Sequence, residues 1–388
     1  MFFSPLLALF ISRAVALDFS SSYWIWYENA TTEPTNATGN FSYNLNSVRP
    51  GGYPISAEII IAGDNSYSLS VNGNGVGNGD DWEIAQEYCV SLNPASNVFT
   101  AQVVNGPGGD PNPAALLAAI EIFYSDGTTE TIVSDNSWLA MNEAGGSWNL
   151  AYELGAANAP PWHIPTLPPP SPPLSLTNSQ WIWTNEPVGG PEGIKPAGSR
   201  TFGKDITIPV PVTNGMITIS TDNEYALYIN DHYIGSNTGW PAAQTYPFEL
   251  NNPTGHIIVA INATNFDSQA GVIAALELNA GCLTSSYVTD NTWKYNLDVP
   301  PGFPIINTTS WPYAVNEGLY PVAPWGNITI SAPVPTITIS APVTTITTIP
   351  ISKSSNYALG LLPSLSAFVP LTLALLTMYV FDLMSRLL

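Results

Sequence analysis

Charge is scarce in this chain. Only 10% of its 388 residues are charged, and 8 Lys and Arg face 29 Asp and Glu, a formal net charge of −21. A surface of that sign repels phosphates, which sets nucleic acids aside as partners. Cysteine is nearly absent. Cys89 and Cys282 are too few for the multi-bridge framework of small secreted domains, and neither has metal or redox spacing. His163, His232 and His256 are isolated, so no zinc site is expected. No serine sits in a nucleophile elbow. No catalytic residue and no cofactor is expected. Calcium stays open because Asp64 and Asp222 offer carboxylates, yet no EF-hand-like loop supports it.

What the chain has is the same pattern twice. Trp24-Ile25-Trp26 opens one segment and Trp181-Ile182-Trp183 another. Asp64-Asn65-Ser66-Tyr67-Ser68-Leu69-Ser70-Val71-Asn72 returns as Asp222-Asn223-Glu224-Tyr225-Ala226-Leu227-Tyr228-Ile229-Asn230. Gly77, Trp82, Gln86 and Tyr88 return as Gly235, Trp240, Gln244 and Tyr246 at one constant offset, and Asp135–Trp138 answers to Asp290–Trp293. A domain has been duplicated in tandem. Within each copy the apolar period is two: Tyr67, Leu69 and Val71 alternate with serines, as in a half-buried strand. Asn72-Gly73 and Asn230-Asp231 predict tight hairpins, because these residues tolerate positive φ. Further strands are expected at 57–62, 97–103 and 118–124 and, in the second copy, at 215–220, 257–262 and 274–278. Short strands and frequent turns imply an all-β sandwich per copy.

The ends point to export. Residues 1–16 hold the apolar run Leu6–Ile11 followed by Ala14-Val15-Ala16, the form of a signal peptide. Residues 17–159 make the first sandwich, 160–174 a Pro-rich linker and 175–326 the second sandwich. A Thr/Ser/Pro-rich stalk follows at 327–356, repeating Ile-Thr-Ile-Ser-Ala-Pro-Val at Ile328 and again at Ile337; Thr and Pro suit an O-glycosylated spacer, and the Ile-Thr alternation also suits edge strands. The uncharged segment 357–381, with a short tail at 382–388, is long enough to span a bilayer as a helix. It reads either as a single transmembrane helix or as a lipid-anchor signal, with small residues Ser354, Ser355 and Asn356 at the processing site. Both readings place the bulk of the chain at the cell surface. Sequons at Asn29, Asn36, Asn40, Asn262, Asn307 and Asn327 are candidate N-glycosylation sites. For Cys89 and Cys282 two readings stay open, a bridge between the copies or two buried thiols.

The Trp-x-Trp opening, the Asp-Asn-x-Tyr-x-Leu-x-Val/Ile-Asn strand, the following Gly and Trp and the closing Asp-Asn-x-Trp together resemble the galactose-binding-like jelly roll. The likeness is greatest to the accessory β-sandwich of bacterial α-L-rhamnosidases and covers both copies. The resemblance implies a carbohydrate-directed module. The catalytic carboxylates of those enzymes sit on a separate helical barrel, for which this chain has no room.

Trp82 and Trp240 follow Gly-rich turns, and an indole on a loop rim suits the C–H face of a sugar while nearby Asp and Asn take its hydroxyls. The candidate ligand-binding residues are therefore Trp240, Asn237 and Asp222 in the second copy and Trp82, Asp81 and Asp64 in the first. For the two Trp the competing reading is a plug at the end of the sandwich. For Asp64 and Asp222 it is a turn-stabilising acid. Trp24, Trp26, Trp138, Trp181, Trp183 and Trp293 are expected in the core. The loop between Trp26 and Phe41 carries three sequons and its counterpart, Thr184 to Gly198, none, so the second copy is the expected binding module. The expected function is non-catalytic binding of extracellular glycans or cell-wall polysaccharide, against a structural glycoprotein or a glycan-active enzyme.

Overall fold

A computed structural model describes residues 17–29, 36–46, 51–108, 112–169, 173–187, 194–266 and 268–340. The expected signal peptide, the anchor segment 357–381 and Ser354, Ser355 and Asn356 lie outside them. Among the described residues no helix is long and apolar enough to cross a membrane.

The first copy comprises β1 (Tyr23–Trp26), β2 (Thr38–Leu45), β3 (Pro54–Asp64), β4 (Ser66–Val71), β5 (Asn74–Gly79), β6 (Gln86–Ser91), β7 (Asn97–Val104), β8 (Ala115–Tyr124), β9 (Thr129–Val133), β10 (Leu139–Asn142), β11 (Asn149–Leu150) and β12 (Tyr152–Ala156). They form two facing sheets, ordered β12-β1-β8-β3-β6 with β9 beside β8, and β11-β10-β2-β7-β4-β5. The second copy repeats them as β13 (Gln180–Trp183), β14 (Gly198–Asp222), β15 (Glu224–Ile229), β16 (His232–Thr238), β17 (Ala242–Asn265), β18 (Gly271–Ala280), β19 (Leu283–Val288), β20 (Lys294–Asn296) and β21 (Val315–Leu319), followed by β22 (Thr329–Ile330) and β23 (Ile337–Ile339). Here β14 and β17 are long enough to bend from one sheet into the other. The fold is all-β, two tandem sandwiches, as the period-two pattern predicts.

The six core tryptophans, Trp24, Trp26, Trp138, Trp181, Trp183 and Trp293, are all fully buried. The turns carry the expected left-handed residues, with φ of 54° at Asn72, 45° at Asn230 and 68° at Asp231. Between the sheets lie Trp26, Phe41, Leu69, Phe99 and Ile120 in the first copy, and Trp183, Phe202, Leu227 and Ile261 in the second. The β3–β8 sheet buries its other face too. Trp24, Ile60, Ala62, Leu117 and Ala119 pack there beneath Trp162, which explains why β8 is continuously apolar from Ala115 to Ile120.

Two boundaries shift. Within the Pro-rich linker expected at 160–174, Trp162 is only 5% exposed and stacks on Trp24 with ring centroids 5.0 Å apart. Trp325 does the same to Trp181 at 4.3 Å. Part of the expected stalk belongs to the second sandwich, because β22 and β23 pair with β17. The prolines between them fall where no ladder hydrogen bond is needed.

The copies meet end to end. Cys89 and Cys282 form a disulfide with Cα atoms 5.8 Å apart, and Ser56 Oγ donates to Ala280 O at 3.1 Å. Gly281, at φ 65°, is a close approach: a Cβ there would stand 2.2 Å from Ser56 Oγ and 2.5 Å from Phe123.

Candidate functional site

The six expected ligand residues are mostly spent on the scaffold. Asp64 and Asp222 are 4% and 5% exposed. Asp64 accepts the Trp162 indole N–H at 2.8 Å, and Asp222 that of Trp325 at 3.0 Å. Each carboxylate thus takes an indole N–H. Burial pushes the Asp64 carboxyl up to about 6, opposed by the Trp162 hydrogen bond. Trp82 is half-buried, edge-on to Trp24 at 6.1 Å and 4.7 Å from His163. Trp240 is half-buried against the Trp181–Trp325 cluster. Asp81 Oδ1 takes the Glu83 N–H, and Asn237 Oδ1 that of Thr238. Both acids lie at the inner end of an aromatic latch, away from solvent, and the two Trp fold back onto it.

A different surface is open. On the outer face of the β2-β7-β4 sheet lies a groove of about 440 Å³, with Asn40, Ser68, Ser70, Thr100, Gln102, Glu143 and Trp148 in its lining. Strand alternation explains the set: Phe41, Leu69 and Ala101 point into the core, so their neighbours Asn40, Ser68, Ser70, Thr100 and Gln102 point out. Gln102 Nε2 donates to Asn40 Oδ1 and to Glu143 Oε1, both at 3.2 Å, which fixes the amide across the groove floor. The loop after β10 is wound tight, with Ala144 N–H on Asn142 Oδ1 at 2.9 Å, and carries Trp148 at the rim, 44% exposed. An indole beside amides, hydroxyls and a carboxylate can pack against an apolar ring face and bond several hydroxyls.

In the second copy the equivalent face is covered among the described residues. Its loop between β20 and β21 is longer and lies on that face. Phe303 meets Tyr228 with centroids 5.0 Å apart. Thr201 Oγ1 donates to Asp298 O at 3.0 Å, Lys294 Nζ donates to Thr308 O at 2.9 Å, and Ile306 and Thr308 close over Gly203. The open groove thus lies on the first copy, whereas the sequence points to the second as the binding module. The sequence signal was the length of that loop.

The cover also bears on the sequons. Asn29, Asn36, Asn307 and Asn327 are exposed. Asn262 pairs with Thr201 on the covered face and its Oδ1 is buried without a partner, so a glycan there is incompatible with the packed loop. Asn40 is engaged through its Oδ1 in the groove, where a glycan would fill the space.

On the outer face of the other sheet Glu58 stands opposite Glu121, with Glu87 on the next strand. Burial first, then the charges of Glu87 and Glu121, push the Glu58 carboxyl from 4.5 up to about 7. Between those values the folded chain keeps a proton that the unfolded chain loses, so stability falls as pH rises through that window and levels off above it. The full shift corresponds to about 3 kcal/mol, and solvent screening at this half-exposed site reduces it to about 1–2 kcal/mol. Glu58→Gln should therefore be about 1–2 kcal/mol more stable than wild type at pH 8 in urea unfolding. Its pH dependence should be shallower, with Asp64 supplying what remains. Equal stability of the two proteins at pH 8 would contradict this.

No family model matches the chain. A curated α-L-rhamnosidase of Streptomyces avermitilis is 28% identical over 195 residues, which is 47% of this chain and 18% of that protein. This chain thus spans less than a fifth of the enzyme's length. Among solved structures, the lectin of Pleurotus ostreatus is 32% identical, with 81% of this chain and 96% of that one covered and a TM-score of 0.47; it has also been solved in complex with GalNAc. The Streptomyces avermitilis α-L-rhamnosidase complexed with L-rhamnose is 15% identical over 78% of this chain and 32% of its own, with a TM-score of 0.33. The resemblance to the galactose-binding-like β-sandwich, carried by the repeated motifs, stands with these comparisons.

Proposed function

We propose that the chain is a non-catalytic, carbohydrate-binding glycoprotein of the cell surface, and that it binds its glycan in the groove on the outer face of the first sandwich. The observation that carries this reading is the Trp148 rim above the Gln102–Asn40–Glu143 hydrogen-bonded floor. Fixed amides above a β-sheet present donors and acceptors at the spacing of sugar hydroxyls, and the indole supplies the apolar partner. Export by a signal peptide, glycans at the exposed sequons and a C-terminal lipid anchor or transmembrane helix complete the proposal. The partners are extracellular glycans or cell-wall polysaccharide, with the membrane reached through residues 357–381.

The test is a glycan array on the intact protein, with and without calcium, with Asn40 shown to be unmodified by mass spectrometry. GalNAc- and rhamnose-terminated glycans are the first probes. The expected result is a defined set of bound glycans, lost in Gln102→Ala while the unfolding midpoint stays within a degree or so. A blank array would favour a structural glycoprotein. The enzyme reading has one observation in its favour, the Glu58–Glu121 pair with a carboxyl near neutrality, which suits a general acid. Release of reducing sugar that disappears in Glu58→Gln would establish it in place of the binding reading.

A further inference from the structure

The two copies treat one sheet edge differently. In the second, the free edge of β17 is covered by the chain's own C-terminal segment. β22 and β23 run parallel to it, with Ala242 opposite Thr329, Ala243 opposite Ile330, and Phe248 to Leu250 opposite Ile337 to Ile339. Between them Ser331 N–H and Val334 N–H donate to Ala243 O and Thr245 O at 2.9 and 3.1 Å. Gln244 Nε2 donates to Ala332 O at 2.9 Å.

The first copy begins the same arrangement and stops. After the Trp162 latch, Thr166 forms a parallel bridge with Ile84; Thr166 N–H donates to Glu83 O at 2.8 Å and Ala85 N–H to Thr166 O at 3.0 Å. Pro168 and Pro169 then follow. They have no N–H to continue a ladder. Strand β6, the counterpart of the covered part of β17, pairs only with β3 among the described residues. Its other edge lies beside a groove of about 570 Å³ between β5 and β6. The side chain of Gln86, the equivalent of Gln244, makes no hydrogen bond among the described residues.

We propose that this edge accepts an extended Ile-Thr segment in parallel, as β17 does, and that its occupant is the tail of a second copy, residues 344–350. The chemistry of the occupant is given by the chain itself. Ile-Thr-Ile-Ser-Ala-Pro-Val occurs at Ile328 and at Ile337, and both instances supply strand residues to β17. A third Ile-Thr stretch, Ile346-Thr347-Thr348-Ile349, ends at Pro350, while the first two already pair with β17.

Geometry selects a second copy over the same chain. The tail leaves β23 at Ser340, held by Asn251. Nearby Pro253 faces Gly127, 3.7 Å from where its Cβ would be, and that turn follows the end of β8 that aligns through β3 with Ser91. A parallel strand must enter at Gln86, the opposite end of β6. Reaching it and then pairing would take roughly 20 Å of additional chain, about six extended residues, and only Ala341 to Thr345 are free before Ile346. An exposed edge is a standing template for such pairing.

The test uses the full-length chain in detergent, with light scattering across a concentration series and hydrogen exchange at Gln86–Ser91. The expected result is concentration-dependent self-association together with protection of the outward amides of β6. Thr347→Pro, beyond the described residues, should weaken association at least 10-fold, remove that protection and leave the unfolding midpoint unchanged. A synthetic peptide of residues 344–350 should dissociate the complex. A monomer at every concentration overturns the proposal. So does self-association indifferent to Thr347→Pro, or a monomer with a protected β6 edge, which would mean the tail docks within its own chain.

Discussion

Trp162→Ala should destabilise the first sandwich by about 4 kcal/mol, among the largest effects of any single substitution in the chain. The indole stacks on Trp24 at 5.0 Å and seals the outer cluster of β3 and β8. Its N–H serves Asp64 at 2.8 Å. Alanine removes the packing and leaves the Asp64 carboxylate without that donor in an apolar site, two losses that act together. Trp162→Phe separates them: most of the packing stays and the cost falls to about 1–2 kcal/mol, with the Asp64 carboxyl driven further up. Urea unfolding of the intact protein, followed through a probe in the first sandwich, measures both. If Trp162→Ala matched wild type, residues 160–166 would be a linker after all.

Trp148→Ala should do the reverse, leaving stability intact and costing about 10- to 100-fold in glycan affinity, or roughly 1.5–3 kcal/mol. Trp148 is 44% exposed and lies outside all four core clusters, so its removal leaves no cavity. What is lost is the apolar platform on which a sugar ring would stack. Titration calorimetry against an array-positive glycan, with Trp148→Tyr as a partial replacement, checks the size of the effect. Equal affinity of wild type and Trp148→Ala would move the site away from this groove. Trp311→Ala, in the cover of the second copy, offers the contrasting case: it should lower stability and leave binding alone.

The repeat made the scaffold readable and hid the groove. Residues that recur at a constant offset, such as Tyr67 and Tyr225 or Trp138 and Trp293, are those that every copy of the fold must keep, and they fell where alternation placed them. Asp64 and Trp82 recur for the same reason, which made them poor guides to a site. Trp162 and Trp325 also correspond, yet the longer loop of the second copy sets them farther apart than the constant offset, so the repeat does not mark the latch they form. Trp148 corresponds to Trp311 at that same larger offset, but Trp311 packs toward Gly203 within the cover. The outward set Asn40, Ser68, Thr100 and Gln102 looks like ordinary solvated strand residues until the register of β2, β7 and β4 brings them side by side. Nothing local in the Phe303–Trp311 stretch shows that it lies over Gly203 rather than in water.

The cover over the second copy also sets the valency of the molecule. On the proposed reading, with this face open in the first copy and covered in the second among the described residues, each chain would hold one glycan there and would not by itself bridge two. Cross-linking and agglutination would then depend on how closely chains are crowded. Copies gathered at one membrane, or joined through β6, would act as a multivalent array whose avidity rises with surface density at constant single-site affinity.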